Sequence, residues 1–328
     1  MTETSAGVRQ AISRLQEQMQ KQILGQEKLV DRLLVALLAD GHLLVEGAPG
    51  LAKTRAVKCL SEGIEGSFHR IQFTPDLLPA DLTGTDIYRP QEGNFVFQQG
   101  PLFNNLVLAD EINRAPAKVQ SALLEAMAER QITVGNRSWP LPRLFLVMAT
   151  QNPIEQEGTY PLPEAQLDRF LLHVVIDYPD FEYERRILGL ARQEALEALG
   201  EEPAAQSPPL SQELLFQARR EVLEVHLSEA VEEYLLQLVL ATRRPEPYSP
   251  QLAEWIEYGA SPRASIGLDR TARAHAWLAG RDYVAPEDVQ EMAFDILRHR
   301  IILNYEAEAE GITPDRFIEE LLALVPVP

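Results

Sequence analysis

The chain has 328 residues, 45% hydrophobic and 24% charged, with 49 acidic against 30 basic side chains and a net charge of −19. That length and apolar share permit one large domain or two smaller ones, and the acidity disfavours a protein that grips nucleic-acid phosphates, which calls for basic patches. No run approaches the roughly 18 apolar residues of a membrane span, Met1–Gly7 lacks the basic and apolar regions of a signal peptide, and a lone cysteine, Cys59, allows no internal disulfide, so a soluble protein of the reducing cytoplasm is expected.

The first strong signal along the chain is the apolar run Leu43-Leu44-Val45, followed by Gly47-Ala48-Pro49-Gly50-Leu51-Ala52-Lys53-Thr54. A short strand, a tight turn and a Lys-Thr pair opening a helix form the phosphate-cradling loop called Walker A. Gly47 and Gly50 let backbone N–H groups turn toward a polyphosphate, and the helix N-terminus adds its positive dipole. Lys53 can reach the β- and γ-phosphates of ATP, and the Thr54 hydroxyl can ligate Mg²⁺. Ala52 stands where a glycine ordinarily precedes the lysine; its methyl fits a helical backbone and would be strained at positive φ.

Leu106-Val107-Leu108-Ala109-Asp110-Glu111 is a buried-strand pattern ending in two acids. A continuous apolar run suits a central parallel strand covered on both faces, and acids at its C-terminal end fall where open α/β sheets bind ligands. Asp110 would hold Mg²⁺ and Glu111 would polarise the attacking water; the plainer role is capping of the next helix. Leu144–Ala149 reads as another strand, ending in Thr150-Gln151-Asn152-Pro153. Asn152 could orient water beside the γ-phosphate or simply start a turn. Glu164–Phe170 contains Arg169, which could project as a finger into a neighbour's nucleotide or pair with Asp168 or Glu164.

Two stretches read as β-hairpins: Thr85–Tyr88 with Asn94–Gln98 around Gln91-Glu92-Gly93, and Gln131–Val134 with Arg137–Trp139 around Gly135-Asn136. The remainder reads as helices. Phe181–Ala198 and Leu227–Thr242 carry apolar faces, and Ser261-Pro262 and Pro286 mark helix starts. Gly200–Pro209 reads as a loop. Charge separates the halves: 16 basic and 22 acidic residues up to Asp180, then 14 basic, all arginine, and 27 acidic. The six histidines are scattered, so no metal beyond Mg²⁺ is expected.

In combination and order, Gly47–Thr54, Leu106–Arg114, Ala149–Pro153, Glu164–Phe170 and Gly259–Ala264 resemble the AAA+ ATPases and, within them, the MoxR family, in which alanine commonly precedes the Walker A lysine. The resemblance implies an α/β P-loop NTPase core with a parallel sheet between helices over residues 1–178. That core would carry an insert in its second helix and a second hairpin insert, and a small all-α lid would follow over 179–328. It also implies ATP with Mg²⁺ at Gly47–Thr54 and Asp110, and Gly25 and Gln26 near the base. Glu111, Asn152, Arg169 and Arg263 would be catalytic, Arg263 from the lid in its own or a neighbour's site, with Arg114 a second finger candidate. The implied role is a hexameric, ring-forming chaperone that remodels or activates proteins, including metal insertion into enzymes, with a partner bearing a von Willebrand factor A domain. A nucleotide-dependent binding switch and a DNA-associated AAA+ protein are the competing readings.

Overall fold

The structure, a computed structural model, describes residues 3–153, 158–197, 199 and 208–328. Its N-terminal part runs α1 (Glu3–Gln22), α2 (Glu27–Leu38), β1 (Leu43–Glu46), α3 (Lys53–Gly63), β2 (Phe68–Gln72), α4 (Pro79–Thr83), β3 (Gly84–Arg89), β4 (Asn94–Gln99), β5 (Leu106–Asp110), α5 (Ala117–Glu129), β6 (Gln131–Val134), β7 (Arg137–Pro140), β8 (Leu146–Gln151), α6 (Glu164–Leu167) and β9 (Leu172–Val175). Then follow α7 (Phe181–Glu197), α8 (Gln212–Glu224), α9 (Glu229–Arg243), α10 (Pro250–Trp255), β10 (Ile256–Tyr258), α11 (Pro262–Leu278), α12 (Pro286–Leu297), β11 (Ile302–Leu303), α13 (Tyr305–Ala309) and α14 (Pro314–Leu324).

Five strands form a parallel sheet in the order β2-β5-β8-β1-β9. All of β5 is buried, as a strand covered on both faces must be. Successive residues feed opposite layers. Leu43, Val45, Leu106 and Leu108 join the core under α1–α3, whereas Leu44, Val107 and Ala109 join the one under α5. Parallel pairing puts the C-terminal ends of β1, β5 and β8 side by side, where β1 leaves into Gly47 and β5 into Glu111.

Both hairpin signals are antiparallel pairs, β3–β4 and β6–β7. They lean on each other: Phe97 stacks on Trp139 with ring centroids 4.7 Å apart. The strand expected at Leu144–Ala149 is displaced to Leu146–Gln151. The Leu144 carbonyl is taken by the Asn105 side chain, and the ladder runs on until Gln151 pairs with Glu46.

Helices dominate after Asp180. Ser211, Ser228, Ser249 and Ser261 cap α8, α9, α10 and α11 through their hydroxyls. The short antiparallel β10–β11 ladder is an exception to the all-helical expectation. The loop expected at Gly200–Pro209 falls largely on 200–207, outside the described residues. Buried ion pairs tie this part to the sheet. The Asp295 carboxylate accepts from Arg32 of α2 and from Arg298, each at 2.7 Å. Arg300 donates to Asp168 at 2.8 Å and to the Phe170 carbonyl at 2.6 Å. Unpaired, such buried charges would be strongly destabilising. Cys59 is buried in α3 as a core residue.

Candidate active site

The Gly47–Thr54 loop joins β1 to α3 and is shaped by close packing. A Cβ on Gly47 would stand 2.6 Å from Ile176 Cγ1 and 2.9 Å from the Ile176 carbonyl oxygen. Only glycine fits there, and its N–H donates to Gln151 O at 3.3 Å. Gly50 has a φ of +87°, a conformation glycine adopts freely. Ala52 takes the strained option rather than the helical one, with φ at 57° in the left-handed region. That costs a non-glycine residue about 1–2 kcal/mol. Two contacts hold it there: the Ala52 carbonyl accepts the Ala56 N–H at 2.9 Å, and the residue packs on the main core. Ala48 and Leu51 are buried beneath the loop, while Pro49 and Gly50 are exposed.

Lys53 opens α3, and its Nζ donates to the Gly47 carbonyl at 2.5 Å. Burial lowers the pKa of its ammonium, opposed by the charges of Asp110, Glu111 and Glu46. Those three carboxylates favour its charged form. Thr54 stands half-buried in the first turn of the same helix.

Asp110 ends β5 and is buried. Its Oδ1 accepts from Thr150 Oγ1 at 2.6 Å, and its Oδ2 from Arg70 Nε at 3.0 Å and Nη2 at 2.7 Å. Glu111 follows with φ at 57°, and its N–H donates to Thr150 Oγ1 at 2.9 Å. One hydroxyl at the tip of β8 thus fixes both acids. Glu111 Oε2 accepts from Gln72 Nε2 at 2.7 Å and lies 3.2 Å from Arg114 Nε. Arg70, Gln72 and Thr150 were not singled out by sequence reasoning. The available signal was the polar pair Arg70 and Gln72, spaced by two, which must share one face of β2.

Asn152 is buried and directly follows Gln151, whose carbonyl accepts the Gly47 N–H, so it sits beside the loop. Gln26 is also buried and donates to Asp177 O at 2.8 Å. Gly25 has a φ of +74°, and a Cβ there would stand 2.7 Å from Pro179 Cβ. The pair therefore clasps the chain leaving β9. The hydroxyl of Thr54 and the carboxylate of Asp110 are hard oxygen donors that suit Mg²⁺, a cation commonly bound by one or two carboxylates plus substrate phosphates.

Arg169 and Arg263 lie elsewhere. Both line a cavity of about 290 Å³ whose wall includes Gly41 and His42, at the start of β1 rather than its end. Four residues of strand, roughly 13 Å, separate that level from the phosphate loop. Asp168 accepts from Arg263 at 3.2 Å and from Arg300 at 2.8 Å, so its carboxylate is engaged by these two rather than by Arg169. Arg169 itself is exposed.

Residues 42–172 match the family described as "ATPase family associated with various cellular activities (AAA)", and residues 252–321 match an AAA lid domain. The chain is 48% identical over 307 residues to Chaperone MoxR1 of Mycobacterium tuberculosis, covering 93% of this chain and 79% of that one. It is 32% identical to Protein MoxR of Methylorubrum extorquens, covering 98% and 96% respectively. A crystal structure of a candidate ATPase from Cytophaga hutchinsonii superposes with a TM-score of 0.90 at 49% identity, over 99% of this chain and 97% of that one. A phosphate loop at the end of β1, paired acids at the end of β5, a following helical part and these likenesses converge: the chain belongs to the MoxR family of AAA+ ATPases.

Proposed function

We propose that this chain is a Mg²⁺-dependent, chaperone-type ATPase of the cytoplasm, with residues 1–178 as its catalytic core and 179–328 as its lid. It would act in a hexameric ring that remodels or activates protein partners, among them a von Willebrand factor A domain protein. In this reading Gly47–Thr54 cradles the phosphates of ATP, and Gly25 and Gln26 border the base. Thr54 and Asp110 would hold the metal, which when bound neutralises charge between phosphate oxygens. Glu111 orients and polarises the attacking water, and Asn152 senses the γ-phosphate. Arg169 completes the site of a neighbouring subunit, and Arg263 acts beside it.

The observation that carries the reading is the separation of the two groups along β1. Lys53, Asp110 and Glu111 cluster at one level, and Arg169 with Arg263 at the other, beside Gly41 and His42. Cations placed there reach poorly to their own phosphate loop and are available to a second copy. Arg114 is less suited to that role, since its Nε is 3.2 Å from its own Glu111. A switch with slow turnover finds some support in the same contacts, because Gln72 and Arg114 both engage the Glu111 carboxylate.

The test is phosphate release by the full chain with Mg²⁺ and ATP, alongside mass measurement of the assembly. Turnover abolished by EDTA and by Lys53→Ala, from a nucleotide-dependent ring, is expected. Tight ATP binding with negligible turnover at every protein concentration would favour the switch, and salt-sensitive DNA binding the DNA-associated reading.

A further inference from the structure

On a chain of net charge −19, a second cavity collects positive charge. It has a volume of about 350 Å³, and its wall contains five arginines, Arg130, Arg143, Arg219, Arg220 and Arg270, against one acid, Asp40. It lies between the sheet's N-terminal edge and the helical part. Asp40 directly precedes the turn into β1, Arg143 precedes β8 and Arg130 ends α5, while Arg219 and Arg220 come from α8 and Arg270 from α11. It is therefore at the opposite end of β1 from the Lys53 loop.

Asp40 serves two of the five guanidiniums, with Arg219 Nη1 at 2.6 Å and Arg130 Nη2 at 2.8 Å. Arg143 is poised over the face of Phe216, 3.9 Å from its ring centroid, a cation–π contact that ties the guanidinium to the cavity wall. Arg219 is largely buried, its side chain 11% exposed, and its pKa is pushed down by burial and by the like charges of Arg130 and Arg143, with Asp40 opposing. Gathering like charges at a partly desolvated site is costly unless an anion balances them. Leu38, Ala39, Val222 and Leu223 complete the wall with apolar surface. A guanidinium fork matches phosphate oxygens two at a time.

We infer that this cavity is a binding site for a phosphorylated small molecule carrying two phosphoryl groups, separate from the Lys53 loop, sharing Asp40, Arg130 and Arg270 with the neighbouring Arg169 cavity, and bridging the sheet to α8 and α11. The charge supports this stoichiometry, since each phosphoryl group carries about −1.5 to −2 at neutral pH and the wall holds five cations to one anion. The volume supports a small molecule, as ligand pockets run from about 300 Å³ upward, whereas an acidic peptide would need an extended groove. A ligand here would tie the core to the helices behind it, so its occupancy would bear on their relative motion.

The test uses the full chain with Lys53→Ala, which removes the main cation of the phosphate loop, and inorganic pyrophosphate as probe. Calorimetry should show saturable binding, with a rise in melting temperature. Combining Arg143→Gln with Arg220→Gln, both exposed and neither lining the Arg169 cavity, should weaken binding at least about tenfold, since a charge-assisted hydrogen bond contributes about 1.5–3 kcal/mol. The melting temperature without ligand should not fall, since two like charges are removed; Arg143→Lys alone keeps the charge and serves if the double variant is unstable, again weakening binding through loss of the fork. Three results overturn the inference: no pyrophosphate binding, binding indifferent to Arg143 and Arg220 but lost with Arg169→Ala, or binding of a glutamate-rich peptide in place of pyrophosphate.

Discussion

Arg70 and Asp110, on adjacent strands β2 and β5, form an ion pair at 2.7 Å that occupies Oδ2 of the acid proposed to hold the metal. Thr150 occupies the other oxygen at 2.6 Å. A cation arriving at Asp110 must share or displace the guanidinium. Arg70→Gln should therefore lower the Mg²⁺ concentration that half-saturates binding of a fluorescent ADP, by about threefold, a modest effect because the Arg70 side chain is half exposed and screened. An unchanged or higher requirement would remove Arg70 as a competitor.

The two residues nearest the chemistry should fail differently. Lys53→Ala should lose most ATP affinity, because it deletes the cation proposed to face the β/γ-phosphates. Glu111→Gln should bind ATP nearly normally and turn over at least about a hundredfold more slowly, since only the group proposed to polarise water is lost. Calorimetry and phosphate release on both variants decide this. Turnover at the parent rate in Glu111→Gln would show that another group activates the water.

The phosphate loop and the acid pair were legible because each is a contiguous run of residues whose spacing is set by local backbone chemistry. The left-handed Ala52 was legible only as a tension between its methyl and the glycine usual there; its contacts with Ala56 and the core decide the outcome. Arg70, Gln72 and Thr150 act on Asp110 and Glu111 through strand register, which a single sequence does not reveal. The β10–β11 ladder was missed because its second strand has two residues and lies far from its partner in sequence. The arginine cavity draws on five separate elements and has no linear signature.

Ala52→Gly should stabilise the protein. Relief of the left-handed alanine, about 1–2 kcal/mol, exceeds the extra unfolded-state entropy of glycine, about 0.4–1 kcal/mol. A melting temperature equal to or below that of the parent would mean that the lost methyl contact with the core matters more than the strain.

His42 should make the fold acid-sensitive. It is buried, its Nδ1 accepts the Val147 N–H at 3.0 Å, and burial, aided by the charge of Arg130, lowers its pKa to about 4. Between that value and the ordinary value near 6.5, the unfolded chain binds the proton and the folded chain does not. Stability therefore falls as pH drops through that window, by up to about 3 kcal/mol from this group. His299, whose pKa burial also lowers, acts in the same direction. Asp288, with a pKa held at about 2, loses its contribution only below the window. Denaturant melts from pH 7 to pH 4 should show a shallower decline for His42→Gln than for the parent, and identical slopes would contradict the assignment.

In the proposed ring an active site is completed across two subunits, by the Lys53 loop of one and Arg169 of the next. An arginine finger contributes about 10³–10⁵ in rate, so Arg169→Ala should bind ATP and barely hydrolyse it, while Lys53→Ala should be inactive for want of binding. Mixing the two inactive proteins, once fluorescence transfer between labelled subunits has shown that they exchange, is the direct measurement. Phosphate release should return at intermediate mixing ratios, because some interfaces then pair an intact Lys53 with an intact Arg169. Proven exchange with no activity at any ratio would contradict the role of Arg169 across the subunit boundary.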